Sequence, residues 1–331
     1  MAKLDFMNAL ERCNKKSVVL GTGTSIACLD LMKKTQSFFP EAHLNPEKMA
    51  ALAETGHTAL GFDVVMPLFS VCHETEAMGC NIDWGKPDQM PYCKDFIYTD
   101  YQDITIPDDL LEKPSCQVPL QAIGILKNRL GNSAAVCGKV FGPWTLGYHL
   151  FGIENFLIDT VTNPSKIKKT IDILSDITIA FANAQIEAGA DCILLGDHAT
   201  ADLCSPAAYD IFLKETHAML AQKIHAPVIL HICGNTKDRI EMIAQTGMSC
   251  FHWDTKSGSP ASMRQLAGSK MALMGGISNT TLLMGTPEDI SQQAQNAADA
   301  GIDIIGPECA VPLNTPLVNL KAIAGARKGN I

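Results

Sequence analysis

No run of lysines or arginines occurs in this sequence. Its 331 residues carry 26 Lys and Arg against 35 Asp and Glu, a formal net charge of −9. That balance argues against a nucleic-acid partner, which would need a clustered basic footprint. Arginine is missing altogether between Arg12 and Arg129. No apolar stretch reaches the roughly 18–20 residues that a membrane span requires. The opening segment, Met1 to Lys16, mixes charges with single apolar residues and contains no signal-peptide core, so a cytoplasmic protein is expected. A dinucleotide fingerprint is missing too: Gly21-Thr22-Gly23 is not followed by a third glycine at the required spacing.

What is present is a large reserve of apolar residues, 47% of the chain, enough for one large α/β barrel or two ordinary domains. Twelve cysteines are scattered, and Cys137, Cys192 and Cys250 fall inside apolar runs. They read as buried, reduced thiols. A lead-in helix is expected over Leu4–Lys15, followed by a first strand at Ser17–Leu20 and a second at Asp63–Leu68. The stretch from Glu74 to about Gln117 is rich in Pro, Gly and Asp and poor in periodicity. Its length suggests an excursion over a site rather than a plain connection. From Val118 onward, helix and strand alternate. Strands are expected at 134–140, 192–195, 227–233, 250–253, 271–274 and 303–305, with helices at Leu120–Leu130, Trp144–Phe151, Pro164–Ala188, Ala207–Lys223, Asp238–Gln245, Ser262–Leu266, Pro287–Ala300 and Leu317–Arg327. Eight strands, each followed by helix, imply parallel pairing through right-handed crossovers. The expected fold is an α/β single (β/α)8 TIM barrel over residues 1–331, with an N-terminal helical lead-in and a long excursion after strand 2. A doubly wound open sheet is the competing architecture.

Barrel enzymes place their chemistry at the C-terminal ends of the strands. Here the fifth strand ends in His231-Ile232-Cys233 before Gly234-Asn235-Thr236 breaks it. Alternation along a strand points His231 and Cys233 the same way, about 6.6 Å apart at the backbone. An imidazole and a thiol so placed can be two zinc ligands; they can equally be a packed histidine beside a buried thiol. A third ligand would have to come from elsewhere, and Cys309, just past the eighth strand, is the candidate. One histidine and two thiolates leave a fourth position for water or substrate, the pattern of a catalytic site, and soft thiolates favour zinc over magnesium or calcium. Asp254, ending the sixth strand, is a candidate acidic ligand or merely a helix cap. Asp197 and His198, ending the fourth, are candidates for a role towards substrate or a capping pair. Cys72-His73-Glu74 resembles a metal triplet, but its side chains diverge if the backbone is extended. Gly21–Ser25 could cradle an anion, and one of His252 and Trp253 belongs in the core.

Three patches carry a family resemblance: Phe39-Pro40-Glu41-Ala42-His43 with Asn45–Met49, Glu74–Cys80 (ETEAMGC), and Leu230–Asn235 (LHICGN) paired with Gly306–Cys309. Together with the barrel pattern, the chain resembles the uroporphyrinogen decarboxylase superfamily, and within it the methylcobamide:coenzyme M methyltransferase branch of methanogenesis and one-carbon metabolism. The resemblance implies Zn2+ held by His231, Cys233 and Cys309, with Asp254 filling the fourth position until substrate arrives, where relatives can have Glu. It further implies methyl transfer from methylcobalamin, or a corrinoid carried on a separate small corrinoid protein, to a small thiol such as coenzyme M. A bacterial relative would instead serve tetrahydrofolate in a methylotrophic or O-demethylase system. Porphyrinogen decarboxylation fits poorly, because its many carboxylates call for mouth arginines that no expected strand end supplies. A corrinoid-binding module with a closed structural metal site is the non-catalytic alternative. The sulfonate of coenzyme M needs cationic or N–H donors, which the sequence leaves unplaced.

Overall fold

Short apolar runs form the wall of a barrel. The computed structural model describes residues 2–13 and 17–330. The strands are β1 (Val19–Leu20), β2 (Val64–Val65), β3 (Ile82–Asp83), β4 (Tyr92–Cys93), β5 (Ala135–Phe141), β6 (Cys192–Gly196), β7 (Val228–Ile232), β8 (Cys250–Trp253), β9 (Ala272–Ile277) and β10 (Ile304–Pro307). Eight of them pair in the order β1-β10-β9-β8-β7-β6-β5-β2, every pair parallel. All residues of these eight are buried. That explains why they read as continuous apolar runs and not as alternating ones: helices cover one face and barrel side chains the other. The seam between β1 and β2 is closed by Asp63. Its backbone N–H donates to the Leu20 carbonyl at 2.8 Å, and its carboxylate accepts from the Leu20 N–H at 2.8 Å.

The outer layer follows from helical spacing. The helix Pro164–Glu187 starts with Pro at its first position and an Asn163 side chain accepting from the Lys166 N–H. It buries Ile167, Ile171, Leu174 and Phe181 towards the wall. Each such side chain contributes about 1.5–3 kcal/mol on leaving water. The barrel is thus the α/β fold expected, with all eight strands where the apolar runs lie.

Several boundaries differ. The lead-in helix runs Ala2–Leu10, shorter than the expected Leu4–Lys15, because Arg12 takes a left-handed conformation (φ 54°) that ends it. The expected end of that helix lies outside the described residues. The excursion after β2 is more ordered than its composition suggested. It opens with a helix, Cys72–Ala77, so Cys72-His73-Glu74 is helical and not extended. The antiparallel hairpin β3–β4 follows, pairing Ile82 with Cys93. The helix expected from Leu120 already begins at Pro114, because proline fits the first turn, and it runs through Pro119 to Leu130. After β7 the expected helix is broken into a 3-10 turn, Lys237–Arg239, and one α turn, Ile240–Ile243. The 207–223 helix contains a π segment at Tyr209–Leu213.

Candidate metal centre at the barrel mouth

β7 sits between β6 and β8 with His231 opposite Gly196 and His252. Its end delivers His231 and Cys233 to one place, as strand alternation requires. His231 Nε2 lies 2.9 Å from Cys233 Sγ and 3.3 Å from Cys309 Sγ, and the two sulfurs are 2.8 Å apart. This is no disulfide, whose sulfurs would be about 2.05 Å apart; all twelve cysteines are free thiols. The three ligand atoms lie within 4.8 Å of one another, and among the described residues no other three His, Cys, Asp or Glu groups meet that condition. The Cys72-His73-Glu74 triplet therefore builds no such cluster.

The imidazole is held in a fixed orientation. His231 Nδ1 is 3.1 Å from the His252 carbonyl, which can only accept, so Nδ1 carries the proton and Nε2 presents its lone pair to the sulfurs. Fixing one ring nitrogen on a carbonyl is the usual way a protein orients a metal-binding histidine. His252 also donates from Nε2 to the Pro307 carbonyl at 2.8 Å, tying β8 to the strand end that carries Cys309. Burial, with His231 nearby, drives the His252 pKa well down and keeps it uncharged. Between the two thiols, a hydrogen bond from Cys233 holds the Cys309 sulfur far below the usual thiol range, while Cys233 is raised. One imidazole nitrogen and a pair of sulfurs make a donor set that fits a soft divalent ion such as zinc.

The loops are braced as well. Gly234 (φ +80°) turns the chain after Cys233, and its N–H donates to Asp254 Oδ2 at 2.9 Å. The other Asp254 oxygen accepts from the Lys256 N–H at 2.9 Å, capping the turn Thr255–Ser257. In this structure Asp254 thus engages backbone N–H groups, and it stands outside the three-residue cluster. Glu308, next to Cys309, accepts from the Thr255 N–H at 2.9 Å and the Asn279 N–H at 2.7 Å, joining the loops after β8, β9 and β10.

Asp197 and His198 part ways. Asp197 is 1% exposed. It accepts from the Thr145 N–H and hydroxyl at 2.8 and 3.0 Å and from His217 Nε2 at 3.0 Å, and His217 in turn bonds the Tyr209 hydroxyl at 2.9 Å. The His198 ring is half-buried, with its pKa lowered by burial and then by His231, which places it at the mouth. In the Gly21–Ser25 turn, Gly21 N–H bonds the Ile305 carbonyl and Thr24 N–H the Thr22 hydroxyl, so these donors serve the fold.

Four residues at or near the mouth carry weight that sequence reasoning did not assign. The sequence assigns one of His252 and Trp253 to the core, both are buried, and the double tether of His252 is invisible without the β7–β8 register. His217 and Thr145 give no local signal. Lys139 does: it is a lysine inside the apolar strand AVCGKVF, and a charge in such a run demands an explanation.

Fold and donor set together define a barrel enzyme with a His/Cys/Cys centre at the C-terminal strand ends. The chain belongs to the uroporphyrinogen decarboxylase family, whose family model, "Uroporphyrinogen decarboxylase (URO-D)", matches residues 5–329. Within it the chain groups with methyltransferases. It is 34% identical over 301 residues to a methylated-thiol--coenzyme M methyltransferase of Methanosarcina mazei, covering 90% of this chain and 81% of that one. It is 32% identical over 328 residues to the methylcobamide:CoM methyltransferase MtaA of Methanosarcina barkeri, covering 98% and 97%. A solved methyltransferase from Methanosarcina mazei superimposes with a TM-score of 0.96 at 31% identity, over 99% of this chain and 98% of that one. A uroporphyrinogen decarboxylase of Synechococcus matches only 54% of this chain, at 29% identity. No helix among the described residues is long and apolar enough to cross a membrane.

Proposed function

We propose that this protein moves a methyl group from a methyl-corrinoid, presented by a small corrinoid protein, to the sulfur of a small thiol, coenzyme M being the acceptor that the relatives' names specify. The observation that carries the reading is the convergence of His231 Nε2, Cys233 Sγ and Cys309 Sγ at the open end of the barrel. When bound there, Zn2+ would hold the acceptor as a thiolate at neutral pH, where a free alkyl thiol (pKa about 8.5) is mostly protonated. Two protein thiolates and one neutral imidazole leave enough electron density on an incoming sulfur to keep it nucleophilic. The chain's own task is alignment. Glu308 and Asp254 fix the loops bearing the two cysteines, His252 fixes the His231 ring, and His198 stands at the mouth where acceptor and corrinoid must enter. Correct placement of sulfur against methyl supplies much of the rate. Asp197, buried with His217 and Thr145, acts on this through His198, whose N–H bonds Thr145 Oγ1 at 2.7 Å.

The test is loss of the methylcobalamin spectrum in the presence of the metal-loaded protein, run with coenzyme M and with tetrahydrofolate. Turnover with the thiol alone supports this reading. Turnover with tetrahydrofolate alone replaces it with the folate reading. X-ray absorption at the metal should gain one sulfur neighbour when thiol is added; an unchanged sulfur count with no turnover leaves a structural metal site.

A further inference from the structure

The thiol-activation reading leaves a buried positive charge without a role. Lys139 lies in β5, where its neighbour Gly138 faces Gln185 of the outer helix, so the Lys139 side chain turns into the barrel. Its Nζ has a carbonyl partner, Leu68 O at 3.3 Å, and stands 4.9 Å over the Phe141 ring. An ammonium has three N–H donors, and among the described residues Lys139 forms no ion pair. Burial depresses its pKa, while Glu74, Cys309 and Cys233 all act on it as opposite charges, which puts it within electrostatic reach of the thiol pair.

The surroundings are similarly unfinished. Glu74 accepts from the Phe141 N–H through Oε1 at 2.9 Å, yet its buried Oε2 has no partner. Burial raises Glu74 to about 7, so near neutrality it is only a part-time counter-ion. His73 Nε2 and both nitrogens of His43 are also buried without partners. The two imidazoles flank Trp84, at 5.2 and 5.8 Å between ring centroids, and Lys139 lowers the pKa of each. Lys139 thus lies within electrostatic reach of an unpartnered carboxyl oxygen of Glu74 and of the unpartnered ring nitrogens of His43 and His73.

We propose that Lys139 binds the anionic end of a short thiol acceptor whose sulfur sits at His231, Cys233 and Cys309, so that the barrel selects a thiol carrying a terminal sulfonate over a neutral one. This rests on the methyl-transfer reading. Lys139 is a binding residue here, and it supplies the cationic donor that the sequence left unplaced.

The experiment compares 2-mercaptoethanesulfonate with 2-mercaptoethanol as acceptors from methylcobalamin in the metal-loaded protein. Wild type should favour the sulfonate in kcat/KM. In Lys139→Met the ratio of the two kcat/KM values should fall by ~10–100-fold, the worth of a charge-assisted hydrogen bond, mainly through KM for the sulfonate. Lys139→Arg should keep part of the preference. Should Lys139→Met not fold, inhibition of wild type and Lys139→Arg by ethanesulfonate, with ethanol as control, decides. Competition by the sulfonate that weakens in the Arg variant supports the anchor; no competition overturns it. Equal losses for both thiols in Lys139→Met overturn it as well, as does an active wild type with no preference. A wild type that methylates neither thiol sinks the methyl-transfer reading itself, a result distinct from the other three.

Discussion

The site depends on which nitrogen of one ring is free. Because the His252 carbonyl takes the His231 Nδ1–H, Nε2 is the nitrogen left to face the two sulfurs, and no side-chain substitution at 252 removes that carbonyl. What the His252 side chain adds is the bond to Pro307, which sets β8 against the strand end before Cys309. His252→Leu should therefore leave the barrel folded, cost about 1–3 kcal/mol for the unsatisfied Pro307 carbonyl, and weaken zinc affinity by ~10–100-fold. Competition with a chromophoric chelator measures the affinity; unchanged binding would mean that the tether has no part in placing Cys309. Cys309→Ala is a harsher change. Metal retained on purification and methyl transfer should be lost together, with activity down more than ~100-fold, the upper range for a mere supporting partner. A fully active, zinc-containing Cys309→Ala would identify the wrong third ligand.

At the scale of elements, the loop after β7 is the critical piece. Gly234 has φ +80°, and a Cβ there would come within 2.3 Å of Thr200 Oγ1. Gly234→Ala should cost about 1–3 kcal/mol and loosen the Asp254 bond that brackets Cys233. A lower urea midpoint with weakened zinc binding is the expected pair of results, and a midpoint equal to wild type's would show that the turn relaxes freely. This loop was legible in the chain because HICGN marks its own strand end and turn. The eight barrel strands were legible for the same kind of reason, since each is an apolar run between breakers. The β3–β4 hairpin was not: Ile82–Asp83 and Tyr92–Cys93 are two-residue strands, too short for alternation to register. Nor could periodicity show that Asp63, at the head of β2, closes the seam with Leu20, or that Asp254 would reach back to Gly234. Those are long-range bonds between residues that look like ordinary caps and strand ends.

For the whole molecule, the buried titratable groups inside the barrel oppose one another. Burial raises Glu74 to about 7 and lowers His73 to about 4. The folded state holds the Glu74 proton that the unfolded chain has released above its ordinary value of 4.5, so between about pH 4.5 and 7 stability falls as pH rises. For His73 the sign reverses. The unfolded chain binds a proton below 6.5 that the folded state refuses down to about 4, so stability rises with pH over that window. The two slopes largely cancel in the wild type. Glu74→Gln removes one of them: its stability relative to wild type should improve from pH 4.5 to 7 by up to roughly 3 kcal/mol, at about 1.4 kcal/mol per pKa unit. His73→Asn should gain relative to wild type in the other direction, from pH 6.5 down to 4. Urea unfolding of the three proteins across pH 4–7.5 measures both differences. Parallel curves would mean that neither group keeps its buried protonation state, and that water reaches the barrel interior where Lys139 lies.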